Sequence, residues 1–126
     1  MDRDQHWTIA RLTYWYLDRG RHREAETLAR GLLAVDQRDG LAWMYYGEAR
    51  WQQDDLAEAA RAFGEAAKLL ESRADVWMRL GDSLLRLGRP QEARRALERA
   101  QIHAQGDPEL LRRINALLEA RRTTAG

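Results

Sequence analysis

Apolar side chains recur along this chain with the spacing of amphipathic helices, and short polar runs separate one helical stretch from the next. One stripe is typical: its members are small or apolar and share a helical face, namely Leu56, Ala59, Ala60, Phe63, Ala66 and Ala67. The polar residues 53–55 divide this helix from the one before it. Read in this way, the pattern predicts an all-α protein of seven helices.

The helical pattern repeats every 34 residues. Trp43 and Trp77 are 34 residues apart, and so are Gly47 and Gly81. A Glu-Ala pair occurs three times at the same step, at 24–25, 58–59 and 92–93. Such a period indicates stacked helix-turn-helix units that bury one another's apolar faces. We therefore divide the chain into units at about 6–39, 40–73 and 74–107.

Glycine and alanine occupy the positions where the two helices of a unit face each other. We expect Gly47 to lie against Ala59 and Gly81 against Ala93, because a large side chain there would push the helices apart. Gly88 is expected to end a helix in the third unit.

A seventh helix at about 108–122 follows the repeats. Asp107 is suited to cap it and Pro108 to begin it. Its apolar stripe consists of Leu110, Leu111, Ile114, Leu117 and Leu118. The last unit of a repeat array exposes an apolar face, so we expect this helix to cover it.

The second and third units each carry Trp-x-x-x-Gly in one helix, followed by Glu-Ala, then Phe or Leu, and then Ala. This order of residues resembles the tetratricopeptide repeat. The residues that carry the resemblance are Trp43, Gly47, Ala59, Phe63 and Ala66, and then Trp77, Gly81, Ala93, Leu97 and Ala100. The first unit departs from the pattern, with Ile9 and Thr13 at the tryptophan and glycine positions. The resemblance implies one domain over residues 1–126, a right-handed α-solenoid of three repeats with a C-terminal capping helix.

A narrower resemblance is to the small chaperones of bacterial type III secretion that hold translocator subunits before export. The stretches that carry it are 32–36 leading into 43–47, and 99–101 leading through 108–109 to 117–120. A shorter repeat chaperone of the same apparatus is a related possibility. The resemblance implies a non-catalytic chaperone that shields an apolar segment of a secreted protein.

In a tetratricopeptide array the first helix of each unit lines the concave side. The register places on that side Trp7, Tyr14, Leu17, Leu41, Met44, Tyr45, Trp51, Met78, Arg79 and Leu85. Aromatic residues are enriched at binding hot spots, and methionine adapts to varied ligands. We therefore predict a groove for an extended or short helical peptide with apolar anchors. The alternative interpretation is that this stripe belongs to the core.

Trp15 is predicted to lie on an open end of the array. Its equivalents in the later units are Ala49 and Ser83, which pack on the preceding repeat, but the first unit has no preceding repeat. Either residues 1–5 fold over Trp15, or another protein chain covers it in a homodimer or heterodimer.

Composition restricts the remaining functions. Five tryptophans stand beside one phenylalanine, which favours aromatic ligand contacts, and there are no cysteines. The 21 basic and 20 acidic residues nearly cancel, so nucleic-acid and membrane-surface binding are disfavoured. No secretory signal and no apolar run of about 20 residues are present, and we expect a cytoplasmic protein.

Catalysis and metal binding are not expected. The three histidines lie in different predicted helices and none has a second ligand four residues away. No phosphate-binding loop or nucleophile motif is present, so no cofactor is predicted. The leading hypothesis is a peptide-holding chaperone, and the alternative is a scaffold or assembly module that self-associates through the end bearing Trp15.

Overall fold

The computed structural model describes the backbone of residues 1–125 and the side chains of residues 1–120. Within that range the chain forms seven α-helices and no strand, so the all-α prediction is confirmed. The helices are α1 (Arg3–Asp18), α2 (His22–Val35), α3 (Gly40–Gln52), α4 (Leu56–Leu69), α5 (Ala74–Arg86), α6 (Pro90–His103) and α7 (Pro108–Ala125). Among the described residues, none of these helices is long and apolar enough to cross a bilayer.

Each helix packs mainly on the helices before and after it in the sequence. The turns between them are short, so consecutive helices run in opposite directions and the array grows as a solenoid. Alanines dominate the interior, and those at 25, 59 and 93 are fully buried at the same place in each unit. Because alanine is small, the helices approach closely and the core is thin.

The turn inside each unit contains one residue in the left-handed region. Gly20, Asp54 and Gly88 have φ angles of 71°, 62° and 74°, and they recur at the step of the sequence repeat. A glycine adopts this conformation without a steric penalty, and aspartate is among the few other residues that tolerate it. Gly88 therefore ends α5 as the sequence predicts.

The glycines inside α3 and α5 allow a large side chain to pack directly against the helix backbone. A Cβ atom added at Gly47 would lie 2.8 Å from the ring of Phe63, and one added at Gly81 would lie 2.6 Å from Leu97. The expected neighbours Ala59 and Ala93 are buried as well, but the tightest contacts lie one turn further along α4 and α6.

The signature tryptophans are pinned at the start of their helices. The indole Nε1 of Trp43 donates to the backbone oxygen of Gln37, and that of Trp77 donates to Glu71, both at 2.8 Å. Both rings also pack on buried alanines. These two tryptophans are therefore structural residues, as expected.

The seventh helix covers the last unit as predicted. Asp107 accepts a hydrogen bond from the backbone N–H of Leu110 at 3.1 Å, and α7 begins at Pro108. Ile114 is completely buried in a cluster that includes Met78 of α5 and Leu97 of α6. The capping helix thus packs against both helices of the third unit, α5 and α6.

Replacing Gly81 by alanine should destabilise the protein by about 1–3 kcal/mol, because Leu97 is fully buried and has no room to retreat from the added methyl group. The measurement is urea unfolding followed by circular dichroism. Gly31→Ala is the matched control: Gly31 lies within α2 with no atom near its Cβ position, so alanine should be neutral or stabilising by up to about 1 kcal/mol. Equal stability of the two variants would contradict the close packing.

Candidate functional site

Two adjoining cavities lie along the surface formed by the first helices of the units. The N-terminal cavity, of about 590 Å³, lies between α1 and α3. The central cavity, of about 670 Å³, extends from α1 and α3 to α5 and α7. The two share Tyr14, Asp18, Leu41 and Tyr45. We call this continuous surface the concave groove.

The N-terminal cavity is lined by aromatic rings that remain open to solvent. Trp7 is 56% exposed and Tyr14 is 59% exposed. The ring of Tyr14 lies 6.4 Å from that of Tyr45, and burial raises the pKa of the Tyr45 hydroxyl. Burial of large apolar rings contributes more binding free energy than burial of small side chains. We therefore expect a ligand to bind most favourably in this cavity.

Arginines partly cover the aromatic rings of α1. The guanidinium of Arg11 lies 4.6 Å from the ring centre of Trp7, and that of Arg19 lies 3.9 Å from Trp15. Each arginine follows its tryptophan by four residues, so both pairs form along one helix face. These flexible side chains give the cavity a basic edge and can move when a ligand contacts the rings.

The central cavity contains an ion pair between α3 and α5. Arg79 Nη2 donates to Glu48 Oε2 at 2.8 Å, and Met44 and Met78 lie in the same cavity. Burial raises the pKa of Glu48, and this effect exceeds the opposing attraction of Arg79. Arg79 is therefore already engaged, which leaves less positive charge for an anionic ligand group.

Two long-range hydrogen bonds hold α1 against α3 and so fix the width of the groove. His6 Nε2 lies 2.7 Å from Asp39 Oδ2, while Asp39 Oδ1 caps α3 through the backbone N–H of Ala42. At the other end, Gln52 Nε2 donates to the backbone oxygen of Leu17 at 2.9 Å. These two hydrogen bonds therefore hold α1 against both ends of α3.

Most of the predicted groove residues come together. The central cavity is lined by Tyr14, Leu17, Leu41, Met44, Tyr45, Met78 and Arg79, and Trp7 lines the N-terminal cavity. Leu17 and Met78 are only 9% and 4% exposed, so they form the floor and belong to the core as well. The predicted stripe is therefore partly groove and partly core.

Two predicted groove residues lie outside both cavities. Trp51 is stacked between Arg79 and Arg86, at 5.1 and 4.8 Å. Leu85 packs against the clusters formed with α6 and α7. The helical register shows which residues of one helix share a face. It does not show that side chains of neighbouring helices cover Trp51 and Leu85, near the ends of α3 and α5.

Trp15 lies at the open end of the array and also lines the N-terminal cavity; it is 42% exposed and in edge contact with Tyr16. The suggestion that residues 1–5 fold over it is wrong. Asp2 caps α1 in a capping box with Gln5, so this segment begins the helix and does not return along it.

The sequence prediction does not include four arginines and one histidine of the groove. Arg73 and Arg113 line the central cavity, and His6, Arg11 and Arg19 line the N-terminal one. Arg113 comes from the capping helix, whose position across the groove no periodicity reveals. Among the described residues no group of three or more histidine, aspartate or glutamate side chains is placed to hold a metal ion.

Comparison with known families identifies the repeat. Two family profiles described as tetratricopeptide repeat match residues 16–72 and 50–118. The chain belongs to the tetratricopeptide repeat family. This membership indicates a protein-binding module and not an enzyme, in agreement with the sequence prediction. No curated protein shows significant sequence similarity to this tetratricopeptide repeat protein.

Solved structures with the same fold include type III secretion chaperones. The Yersinia enterocolitica translocator chaperone SycD superposes with a TM-score of 0.92 at 20% identity, over 99% of this chain and 88% of that chain. SycD has also been solved with a peptide of the translocator YopD (TM-score 0.89, 20% identity, 99% and 98% covered). PcrH, a Pseudomonas aeruginosa protein, bound to the chaperone-binding region of PopD gives 0.92 at 19% identity, with 100% and 97% covered. At these identities the matches establish the fold.

The raised pKa of Glu48 predicts a pH effect of defined sign. Because the folded state favours the protonated carboxyl, the contribution of Glu48 to stability is largest below 4.5, the pKa of an unperturbed glutamate, and is lost as pH rises through the folded pKa. Relative to Glu48→Gln, the wild type should therefore lose free energy of unfolding as pH rises above 4.5. Urea unfolding between acidic and neutral pH measures this difference.

Glu58→Gln provides a control of opposite sign. Arg61 and the Tyr46 hydroxyl lower the pKa of Glu58, so its contribution is present above 4.5 and is lost as pH falls. Parallel pH dependences for the two glutamine variants would contradict the assigned burial of Glu48.

Proposed function

We propose that this protein is a chaperone that holds an apolar segment of a secreted partner in the concave groove, in the manner of the type III secretion translocator chaperones. The observation that carries the proposal is the pair of exposed rings, Trp7 and Tyr14, beside Tyr45 in the N-terminal cavity. A monomeric protein rarely leaves such rings open unless a partner covers them.

The solved relatives support the choice of ligand. SycD is described in complex with a peptide of the translocator YopD, and PcrH in complex with the chaperone-binding regions of PopD and PopB. This chain shares their fold over nearly its whole length. We extend to it the binding of a translocator-like segment and, with that, residence in the cytoplasm before export.

The groove chemistry suggests how such a segment is held. Apolar anchors of the ligand would occupy the space beside Tyr14 and Tyr45 and contact Met44 further along. Glu48 and Arg79 form an ion pair with each other. An apolar ligand that covers them therefore does not remove water from an unpaired charge. Binding then depends on burial of rings and aliphatic chains, and release requires only that a competing partner cover the same segment.

The double variant Trp7→Ala/Tyr14→Ala should bind the partner at least about tenfold more weakly, because exposed aromatic anchors carry a large share of interface energy. Its helix content should be unchanged, since both side chains are more than half exposed. The assay is co-purification of the secreted partner with tagged protein, followed by calorimetry with the bound segment. Ile102→Ala on α6, which is equally exposed but distant from the groove, is the control. Undiminished binding by the double variant would refute the groove assignment.

A second candidate function is self-association through the outer face of α1. Trp15 and Leu12 are 42% and 40% exposed, and with Tyr16 they line a cavity of about 490 Å³ beside Trp7. One crystal structure of SycD is described as an alternative dimer. In a two-fold dimer this face would pack against the same face of a second copy.

Trp15→Glu should convert a self-associated protein to monomers, because a carboxylate at the centre of an apolar interface loses its water without gaining a partner. Sedimentation equilibrium measures the change, and Ile102→Glu is the charge-matched control. A wild-type protein that sediments as a monomer over the whole concentration range would exclude this second function.

A further inference from the structure

The second helices of the units enclose another groove, on the side of the array opposite the first helices. It lies between α4 and α6, over α5, and its volume is about 720 Å³. The floor consists of Ala60, Leu80, Leu84 and Ala96, and the rim carries arginines 61, 89, 95 and 99 together with Glu92. We call it the convex groove. None of these residues lines the concave groove.

The repeat supplies an internal comparison, because the equivalent space between α2 and α4 is filled. There Glu26 Oε1 accepts from Gln53 Nε2 at 2.8 Å and lies 3.4 Å from Arg50 Nε, while Arg30 pairs with Glu26 Oε2 at 3.1 Å. The Tyr46 hydroxyl donates to Glu58 at 2.9 Å, and Arg50 donates to that hydroxyl. A polar network therefore closes the first of the two spaces.

At the step of 34 residues, four members of that network are replaced by smaller or apolar residues, while Glu58 is retained as Glu92. Glu26 corresponds to Ala60, Arg30 to Gly64, Tyr46 to Leu80 and Arg50 to Leu84. The helices are the same, but an apolar cluster that includes Ala60, Leu84 and Ala96 joins them in place of the polar network. The convex groove therefore lacks most of the polar network that fills the equivalent space between α2 and α4, and its floor is apolar.

The rim of the convex groove carries positive charge that the first space lacks: the residues 34 positions before Arg61, Arg89 and Arg99 are Thr27, Asp55 and Glu65. Arg61 is paired with Glu58, and Arg89 with Glu92. Within the described part of the chain neither Arg95 nor Arg99 forms an ion pair, and the guanidinium of Arg99 lies 5.6 Å from the ring centre of Trp77. Arg95 and Arg99 are one helical turn apart on α6 and are both exposed, so they present two unneutralised guanidinium groups above an apolar floor.

We propose that the convex groove binds a short acidic amphipathic segment of a partner protein. An apolar side chain of the segment would lie on Ala60 and Leu84, and carboxylates one turn apart would pair with Arg95 and Arg99. Arginine forms bidentate pairs with carboxylates, and an apolar floor shields such pairs from water. This second site is independent of the concave groove, so one chain can hold two proteins at once.

The test uses a designed probe, since the partner is unidentified. The probe is a helical peptide of about twelve residues with a leucine stripe and glutamates one turn apart, and its control has lysine at each glutamate. Nuclear magnetic resonance titration of the full chain should show shifts at the methyl groups of Ala60 and Leu84 and at the indole of Trp77. The lysine peptide should cause none of these shifts.

Variants then locate the binding. Arg95→Glu/Arg99→Glu should weaken the probe at least about tenfold, because attraction becomes repulsion at two contacts. Arg38→Glu/Arg112→Glu, which makes the same change of net charge at exposed positions outside the groove, should leave affinity within about twofold. Ala60→Glu, which restores the acid found one repeat earlier, should fill the floor and also weaken the probe. Circular dichroism verifies that each variant is folded.

The proposal is overturned if the wild type does not bind the glutamate probe. It is equally overturned if both double variants lose the same affinity, or if the shifts fall on Met44 and Tyr45. The concave-groove variant Trp7→Ala/Tyr14→Ala should bind the probe as the wild type does. This readout separates the present proposal from the chaperone function, either of which can fail alone.

Discussion

The close approach of the two helices within each unit is the constraint from which the rest of the architecture follows. Phe63 and Leu97 lie against the backbone at Gly47 and Gly81, in spaces that a single added methyl group would occupy. With the paired helices this near, alanines suffice to fill the remaining interior. Few large side chains are fully buried, Phe63, Leu32 and Leu97 among them, and most of the aromatic rings stay at least partly exposed.

The concave and convex surfaces of the array differ. On the concave side, α1 and α3 present aromatic rings whose spacing is fixed by the His6–Asp39 and Gln52–Leu17 hydrogen bonds. On the convex side, one space between units is closed by a polar network around Glu26, and the next is open above Ala60. Substitutions at equivalent positions of two units, such as glutamate at 26 and alanine at 60, therefore decide whether the space between second helices is filled or open. The arrangement of the helices is the same in both units.

The 34-residue period predicts the six helices of the repeats, and Gly88 and the stripe after Asp107 predict the end of α5 and the capping helix, because each depends on local sequence. The same register identifies the concave face and most of its residues. It also assigns Trp51 and Leu85 to that face, but neither lines the two cavities, because their surroundings are set by side chains from α5, α6 and α7. It also gives no indication of Arg113, because the path of a capping helix depends on long-range packing. The ion pair of Glu48 with Arg79 is likewise a relation between two units that periodicity does not specify.

The capping helix makes the two ends of the array thermodynamically unequal. At the C-terminal end, Ile114 is fully buried between α7 and the third unit. At the N-terminal end, α1 buries only Thr13 and Leu17 and is held largely by contacts with α2 and α3. In a linear array, local opening starts where neighbours are fewest. A ligand that bridges α1 and α3 in the concave groove would therefore add buried contacts to a helix that buries only two of its own described residues.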